Sequence, residues 1–325
     1  MAEWLYEDGI GENRAILVDG REILEAAIER PGLRAGSIVP ARLTSILIPG
    51  RRAIVTLEGG GEALMEPIPP ALTEGARLRV EIVREAAAEA GRFKHPKCRA
   101  SDEPCRDGPT LRERTSGAAP LPASGPDRFE QAGWTELLEE ASTGEIAFEG
   151  GALRLSLAPA MTLFDVDGAL PPLALAVAGA AAAARAIRRM GLAGSIGIDL
   201  PTLPDRADRQ AAAAAFDAIL PQPYERTAVN GFGFLQIVRR RARASLAETL
   251  QADPAGAAAR ALLRRAERSS GSGERTLAAA PSVIARLEAH PEWIDALARR
   301  VGAPVALRPE PSLAISAGHV QSLFP

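Results

Sequence analysis

The sequence predicts a mixed α+β and α/β chain of several subdomains, and three observations predict it. Five short apolar stretches, punctuated by Gly and Pro, crowd into residues 36–84, a density that closes into a small barrel of the OB type. A strand–helix–strand order follows between residues 161 and 200, which favours a parallel pair joined by a crossover helix. Residues 249–325 then read as a helical, later mixed, tail. The chain has 325 residues, enough for two or three subdomains each with its own core.

Composition narrows the function classes. Apolar content of 46% and charged content of 24% suit a soluble chain, and a net charge of −3 does not mark a general polyanion binder. Local charge says more, because nearly every basic residue is an Arg and the arginines cluster while the acids are spread out. Cys98 and Cys105 are the only cysteines, so no disulfide framework is implied and a reducing cytoplasm fits. The opening Met-Ala-Glu-Trp-Leu-Tyr-Glu-Asp lacks the basic and apolar regions of a signal peptide. The most apolar run, residues 173–184, is too short and alanine-rich to span a bilayer. A cytoplasmic protein with no membrane span is expected.

Residues 14–18 and 23–28 read as a hairpin around Asp19-Gly20. The barrel strands are expected at 37–43, 45–48, 53–57, 63–66 and 77–83. Such barrels bind single strands through basic and aromatic surface residues. Arg42, Arg51, Arg52, Arg77 and Arg79 supply the basic half, but no aromatic occurs between Tyr6 and Phe93, which predicts a weak or altered binding module. Residues 91–128 are irregular and rich in Pro, Gly, Arg and Ser. There His95, Cys98 and Cys105 offer three of the four ligands of a zinc ion. Structural zinc sites use two close ligand pairs, so an exposed loop with two ordinary thiols is the preferred reading. A helix is expected at 134–142, with strands near 146–148 and 153–157.

The central unit carries the chemistry. Met161-Thr-Leu-Phe-Asp165-Val-Asp167-Gly168 and Gly194-Ser-Ile-Gly-Ile-Asp199-Leu200 each read as a short strand ending in a carboxylate. Between them, residues 173–190 form an alanine-rich helix closing with Arg185, Arg188 and Arg189. In a parallel pair, Asp165 and Asp199 emerge side by side at the carboxyl edge, where open sheets place ligands. Two close carboxylates repel unless a cation sits between them, and Mg²⁺ prefers such oxygen donors. Either aspartate alone also reads as a helix cap or a turn former. Asp205 opens a helix through Leu220, and a strand at 232–238 leads into Arg239, Arg240, Arg241 and Arg243. That cluster suits a polyphosphate lying across the sheet, or a solvated basic end. The tail offers helices at 255–268, 282–289 and 293–301, a flexible link at 268–273 and a strand at 304–308. His290 and His319 stand alone. No repeat, Gly-rich phosphate loop, nucleophile elbow or HExxH motif occurs.

Taken in order, three motifs resemble one family, the bacterial ribonuclease E/G endoribonucleases. Glu149-Gly-Gly-Ala-Leu-Arg-Leu-Ser-Leu-Ala-Pro-Ala-Met-Thr-Leu-Phe-Asp165-Val-Asp167 resembles its strand pair leading to the first metal-binding aspartate. Gly191-Leu-Ala-Gly-Ser-Ile-Gly-Ile-Asp199 is similar to the strand carrying the second, and Phe232-Gly-Phe-Leu-Gln-Ile-Val-Arg239-Arg-Arg241-Ala-Arg-Ala-Ser-Leu246 to the basic strand that follows. Weaker matches lie at Gly11-Glu-Asn-Arg14-Ala and at Arg112-Glu-Arg114-Thr115, the latter resembling a segment that senses an RNA 5′-monophosphate.

The resemblance implies an RNase H-like piece (residues 1–35 and 134–160) with an inserted S1 barrel (36–90) and a reduced 5′-sensor region (91–133). A DNase I-like nuclease subdomain (161–248) and a small C-terminal α/β domain (249–325) complete the expected chain. It implies Mg²⁺, or Mn²⁺, on Asp165 and Asp199, with Asp167, standing where the family has Asn, as an adjacent metal ligand or an acceptor beside the ion. Arg239 and Arg241 become catalytic cations, Arg114 and Thr115 the sensor pair, and Arg42, Arg52 and Arg240 RNA contacts. The activity implied is endonucleolytic cleavage of single-stranded RNA to 5′-phosphate and 3′-hydroxyl ends. Thr202 replaces a further family aspartate, and the cysteines of the family's zinc link are absent after Leu246, so an oligomer stays open but not the family's zinc-joined one. Thr202 and the aromatic-free barrel favour a second reading, a non-catalytic RNA-binding relative. A scaffold that binds no RNA is a third, and it leaves the three matched motifs without a common reason.

Overall fold

The computed structural model describes residues 1–89 and 92–324, so the expected boundary between residues 90 and 91 lies outside the described residues. The fold is mixed α+β, with a closed five-stranded barrel and several sheets. β1 (Glu3–Asp8), β2 (Asn13–Asp19) and β3 (Glu22–Glu29) form an antiparallel sheet in that order. The β2–β3 hairpin is the expected one, and β1 adds an edge that the sequence reading lacked.

The barrel comprises β4 (Ile38–Ile48), β5 (Arg52–Leu57), β6 (Glu62–Met65), β7 (Arg77–Arg84) and, beyond a β8 (Ala87–Glu89)–β9 (Arg92–Lys94) hairpin, β10 (Lys97–Ser101). The order β7-β4-β5-β6 is a Greek key, three hairpin-connected strands with the fourth returning beside the first. β10 then pairs parallel with β6 and antiparallel with β7, which leaves no free edge. Two expectations are corrected here. Residues 37–43 and 45–48 are one strand, bent by irregularities between Leu43 and Ser45 and between Ile46 and Ile48. The fifth strand is β10, in a stretch read as irregular, because its inward residues are only Cys98 and Ala100. Cys98 sits in the barrel core with Leu43, Val55, Met65, Val80 and Ile82.

After α1 (Leu111–Arg114), α2 (Arg128–Gln131) and α3 (Trp134–Thr143) comes the largest sheet. Its members are β11 (Glu145–Phe148), β12 (Gly151–Leu157), β13 (Thr162–Gly168), β14 (Gly194–Asp199), β15 (Glu225–Arg226) and β16 (Phe234–Arg239). The order is β11-β12-β13-β14-β16-β15, and only β13 and β14 run parallel. The crossover is α4 (Pro172–Arg189), which starts with proline at its first position and ends in Arg188 and Arg189, both favourable to a helix. α5 (Arg206–Asp217) packs beside it. The sheet runs across the expected boundary between residues 160 and 161. Leu5, Ile16 and Val18 share one core with Phe129, Trp134, Phe164 and Ile198, so the barrel is an insertion between two chain segments of a single core.

The tail contains α6 (Leu246–Ala252), α7 (Pro254–Glu267), β17 (Ser272–Ala279), α8 (Pro281–Glu288), α9 (Pro291–Val301), β18 (Val305–Pro309) and β19 (His319–Phe324). The sheet order is β18-β17-β19, where the sequence reading had one strand and a flexible link. No helix among the described residues is long and apolar enough to cross a membrane.

A buried ionic network fastens the tail to the first sheet. Arg264 of α7 donates to Glu7 at 2.8 Å, to Asp127 at 2.6 Å and to Glu130 at 2.9 Å. Arg268 reaches Glu7 at 2.7 Å. Burial opposes ionisation of Asp127, but the hydrogen bond from Arg264 and the neighbouring backbone amide outweigh it and hold its pKa below the ordinary value. Asp217, held by Arg226, and Glu66, held by Lys97, are lowered too. A depressed carboxylate contributes stability above the unfolded-state pKa and loses it as pH falls through the folded one. The melting temperature is therefore expected to fall between about pH 5 and about pH 3, more weakly in Asp127→Asn; a flat profile in circular-dichroism melts would contradict this. Burial also pushes the Cys98 thiol up to about 12, whereas Cys105 is exposed. A thiol reagent should modify Cys105 alone in the native protein and both cysteines in denaturant, and rapid native labelling of Cys98 would contradict the closed barrel.

Candidate functional site

The parallel pairing of β13 with β14 is in the register Thr162↔Ile196, Leu163↔Gly197, Phe164↔Ile198 and Asp165↔Asp199. Side chains alternate along a strand, so Phe164, Val166, Ile196 and Ile198 enter the core while Asp165, Asp167 and Asp199 stand exposed on the opposite face. Residues paired across adjacent strands lie about 4.8 Å apart at Cα, which makes Asp165 and Asp199 immediate neighbours. Asp167 lies two residues further along the same face of β13.

Following the register outward gives a row across this open face, Glu145, Arg154, Asp165, Asp199 and Phe234. Arg154 donates to Glu145 at 3.0 Å. That bond chiefly, with smaller contributions from Asp165 and Asp167, raises the pKa of Arg154. On the other flank, a Cβ at Gly197 would lie 2.4 Å from Phe234 Cζ and 2.9 Å from Leu163 Cδ2. The Phe234 ring thus covers Gly197 beside Asp199. The turn before β16 is fixed by Asn230, whose side-chain oxygen accepts from the amides of Phe232 at 2.9 Å and Phe234 at 3.0 Å. Gly233 has φ +92°, and a Cβ there would meet Leu200 O at 2.2 Å. Phe232, at the tip of this turn, is 83% exposed.

The arginines expected beside the acids lie elsewhere. β16 is antiparallel to β14, so Arg239 pairs with Gly194 at the start of β14, about 16 Å along the strand from Asp199. Arg239 shares the face of Leu235 and Ile237, which point into the core, and donates to Leu192 O at 2.9 Å. Burial lowers its pKa, opposed by Glu25. Arg241 pairs with Glu248 at 2.7 Å and lines a cavity of about 470 Å³ with Lys94, Leu157, Thr162 and Ser195. Arg243 pairs with Glu85 of the barrel segment at 3.1 Å, and the Glu85 amide donates to Ala242 O. Arg240 is exposed. This cluster therefore ties barrel to sheet at the edge opposite the carboxylates.

The remaining candidates are dispersed. Thr115 is 2% exposed, and its hydroxyl donates to the carbonyls of Leu111 and Arg112, while Arg114 pairs with Glu29 at 3.2 Å. They do not form a joint exposed pair. Arg42 is exposed opposite Arg77 on the barrel, and Arg52 contacts Glu66 at 3.4 Å. Cys98 is inside the barrel, whereas His95 and Cys105 are exposed, so these three are not gathered. Among the described residues no group of three or more His, Cys, Asp and Glu side chains is gathered for a metal ion. Thr202 is exposed on the segment following β14.

Arg154 escaped the sequence reading. A four-residue connection over residues 158–161 sets it opposite Asp165, and that loop length was the available signal. Compared with known proteins by sequence, the chain matches no family model and no curated protein.

Gly197→Ala should force the Phe234 ring off the sheet and cost roughly 1–3 kcal/mol, the ordinary penalty of overpacking. Denaturant unfolding checks this, and a variant as stable as wild type would contradict the placement of the ring.

Proposed function

We propose that this chain is a Mg²⁺-dependent endoribonuclease acting on single-stranded RNA, a reduced relative of the ribonuclease E/G family. The observation that carries the reading is the in-register pairing of Asp165 with Asp199 on an exposed sheet face. Two supporting observations concern the fold. The Greek-key barrel is of the kind found in OB and S1 modules, and it interrupts a core that the chain resumes after it.

The donor set fits the ion: two neighbouring, solvent-facing carboxylates are hard oxygen ligands that leave room for water and for phosphate oxygens. Bound there, Mg²⁺ (or Mn²⁺) supplies polarisation of a phosphoryl oxygen and a more acidic water. Asp165 and Asp199 would hold the ion, with Asp167 as an adjacent ligand or as an acceptor beside it. Arg154, beside Asp165, takes the charge-offsetting role for which Arg239 and Arg241 were the sequence-based candidates. Arg42 and Arg77, exposed together on the barrel, attract the RNA backbone in a salt-dependent manner. The products expected carry 5′-phosphate and 3′-hydroxyl ends. Thr202 and the internal pairing of Arg241 and Arg243 favour the second reading, an RNA-binding relative without cleavage.

A 5′-monophosphorylated, labelled single-stranded RNA incubated with Mg²⁺ or EDTA separates the two. Cleavage should require the metal and fall roughly 100-fold or more in Asp165→Asn and Asp199→Asn, with melting curves unchanged because both side chains are exposed. Asp199→Asn cutting as well as wild type would refute the assignment, and metal-independent binding without cutting would establish the second reading.

A further inference from the structure

We infer that Phe232 is a stacking platform for an unpaired base of the RNA strand whose phosphate lies over Asp165 and Asp199. The inference rests on the reading of that carboxylate pair as the RNA-cleaving site.

A phenylalanine ring 83% exposed gains nothing from the core, whereas the phenylalanines of the sheet itself are covered, Phe164 fully and Phe148 and Phe234 by about half or more. Nor is the ring on a loose loop. Its own amide and that of Phe234 are both held by the Asn230 side chain, Gly233 N donates to Asn230 O at 3.1 Å, and Leu200 N donates to Gly233 O at 3.2 Å. The last bond ties the turn to the residue after Asp199. The backbone that carries the ring is thus fixed, so only the side-chain torsions of Phe232 remain to be ordered when a flat partner settles on it.

Position gives the partner its chemistry. The row across the open face runs cation (Arg154), two acids (Asp165, Asp199), aromatic (Phe234), with Phe232 at the next turn. With a divalent cation on the two acids, this row complements a nucleotide, which has an anionic phosphate at one end and a flat base at the other. The barrel has no aromatic residue over 7–92, so the stacking component of single-strand recognition must come from another surface. A base within a duplex has both faces covered, so a platform of this kind selects an unpaired one.

The test measures binding without cleavage. A fluorescein-labelled single-stranded decaribonucleotide and an abasic decamer of the same charge are titrated by anisotropy with wild type, F232A and F232W. Ca²⁺ takes the place of Mg²⁺, so that a hard cation can sit between phosphate and carboxylates without supporting cleavage. F232A should bind the base-bearing RNA roughly 5- to 100-fold more weakly, bind the abasic strand as wild type does, and melt as wild type does. F232W should restore affinity, with indole fluorescence quenched on binding. Equal affinity of F232A and wild type for the base-bearing strand would overturn the inference, as would an equal loss on both strands or no binding by wild type. If Phe232-dependent binding is found while Mg²⁺ yields no cleavage, the nuclease reading fails and the platform stands.

Discussion

The fit of α4 against β13 is the constraint on which the carboxylate pair depends. A Cβ at Gly179 would lie 2.4 Å from Val166 Cγ1, so the Val166 side chain packs directly against the helix backbone. Ala176, Ala180 and Ala183 continue that thin face, and all three are fully buried. Parallel neighbours need a crossover that returns over the sheet, and a bulky helix face would hold β14 away from its register with β13. Glycine inside a helix costs about 1 kcal/mol relative to alanine, and this one is kept where only glycine fits. The position of Asp199 opposite Asp165 is therefore a consequence of packing on the other side of the sheet.

A second constraint separates the charges. Because β16 returns antiparallel, its aromatic start lies beside Asp199 and its arginine-rich end lies at the far edge. There Arg239, Arg241 and Arg243 meet Leu192 O, Glu248 and Glu85, and they join sheet, α6 and barrel. Buried or half-buried arginines need such partners, since an unpaired guanidinium loses its hydration without compensation. The acids, in contrast, face solvent, with Arg154 the nearest cation along the row. One edge of the sheet is thus free for a ligand while the other holds the molecule together.

Much of this was legible in the chain. The alternation in Phe164-Asp165-Val166-Asp167, the alanine run with its terminal arginines and the apolar stretch before Asp199 define strand, helix and strand through local periodicity alone. The direction of β16 was not legible, because a strand's composition does not reveal whether it runs with or against its neighbour. β10 was hidden by small inward residues, Cys98 and Ala100, which produce little hydrophobic contrast. β1, β17 and β19 are short or interrupted by Gly, and tertiary pairing decides them. Phe232 read as strand; its exposure follows from the Asn230 turn, which depends on the side-chain hydrogen bonds of a single residue.

Where a divalent ion binds decides whether Asp165 and Asp199 form a metal site. Addition of substoichiometric Mn²⁺ to ¹⁵N-labelled protein would broaden amide resonances near the bound ion. The prediction is selective broadening around residues 165–168 and 199–202, displaced by excess Mg²⁺, with the amides near Arg239 and Arg241 unaffected. Broadening centred elsewhere, or none at these strand ends, would contradict a metal site at Asp165 and Asp199.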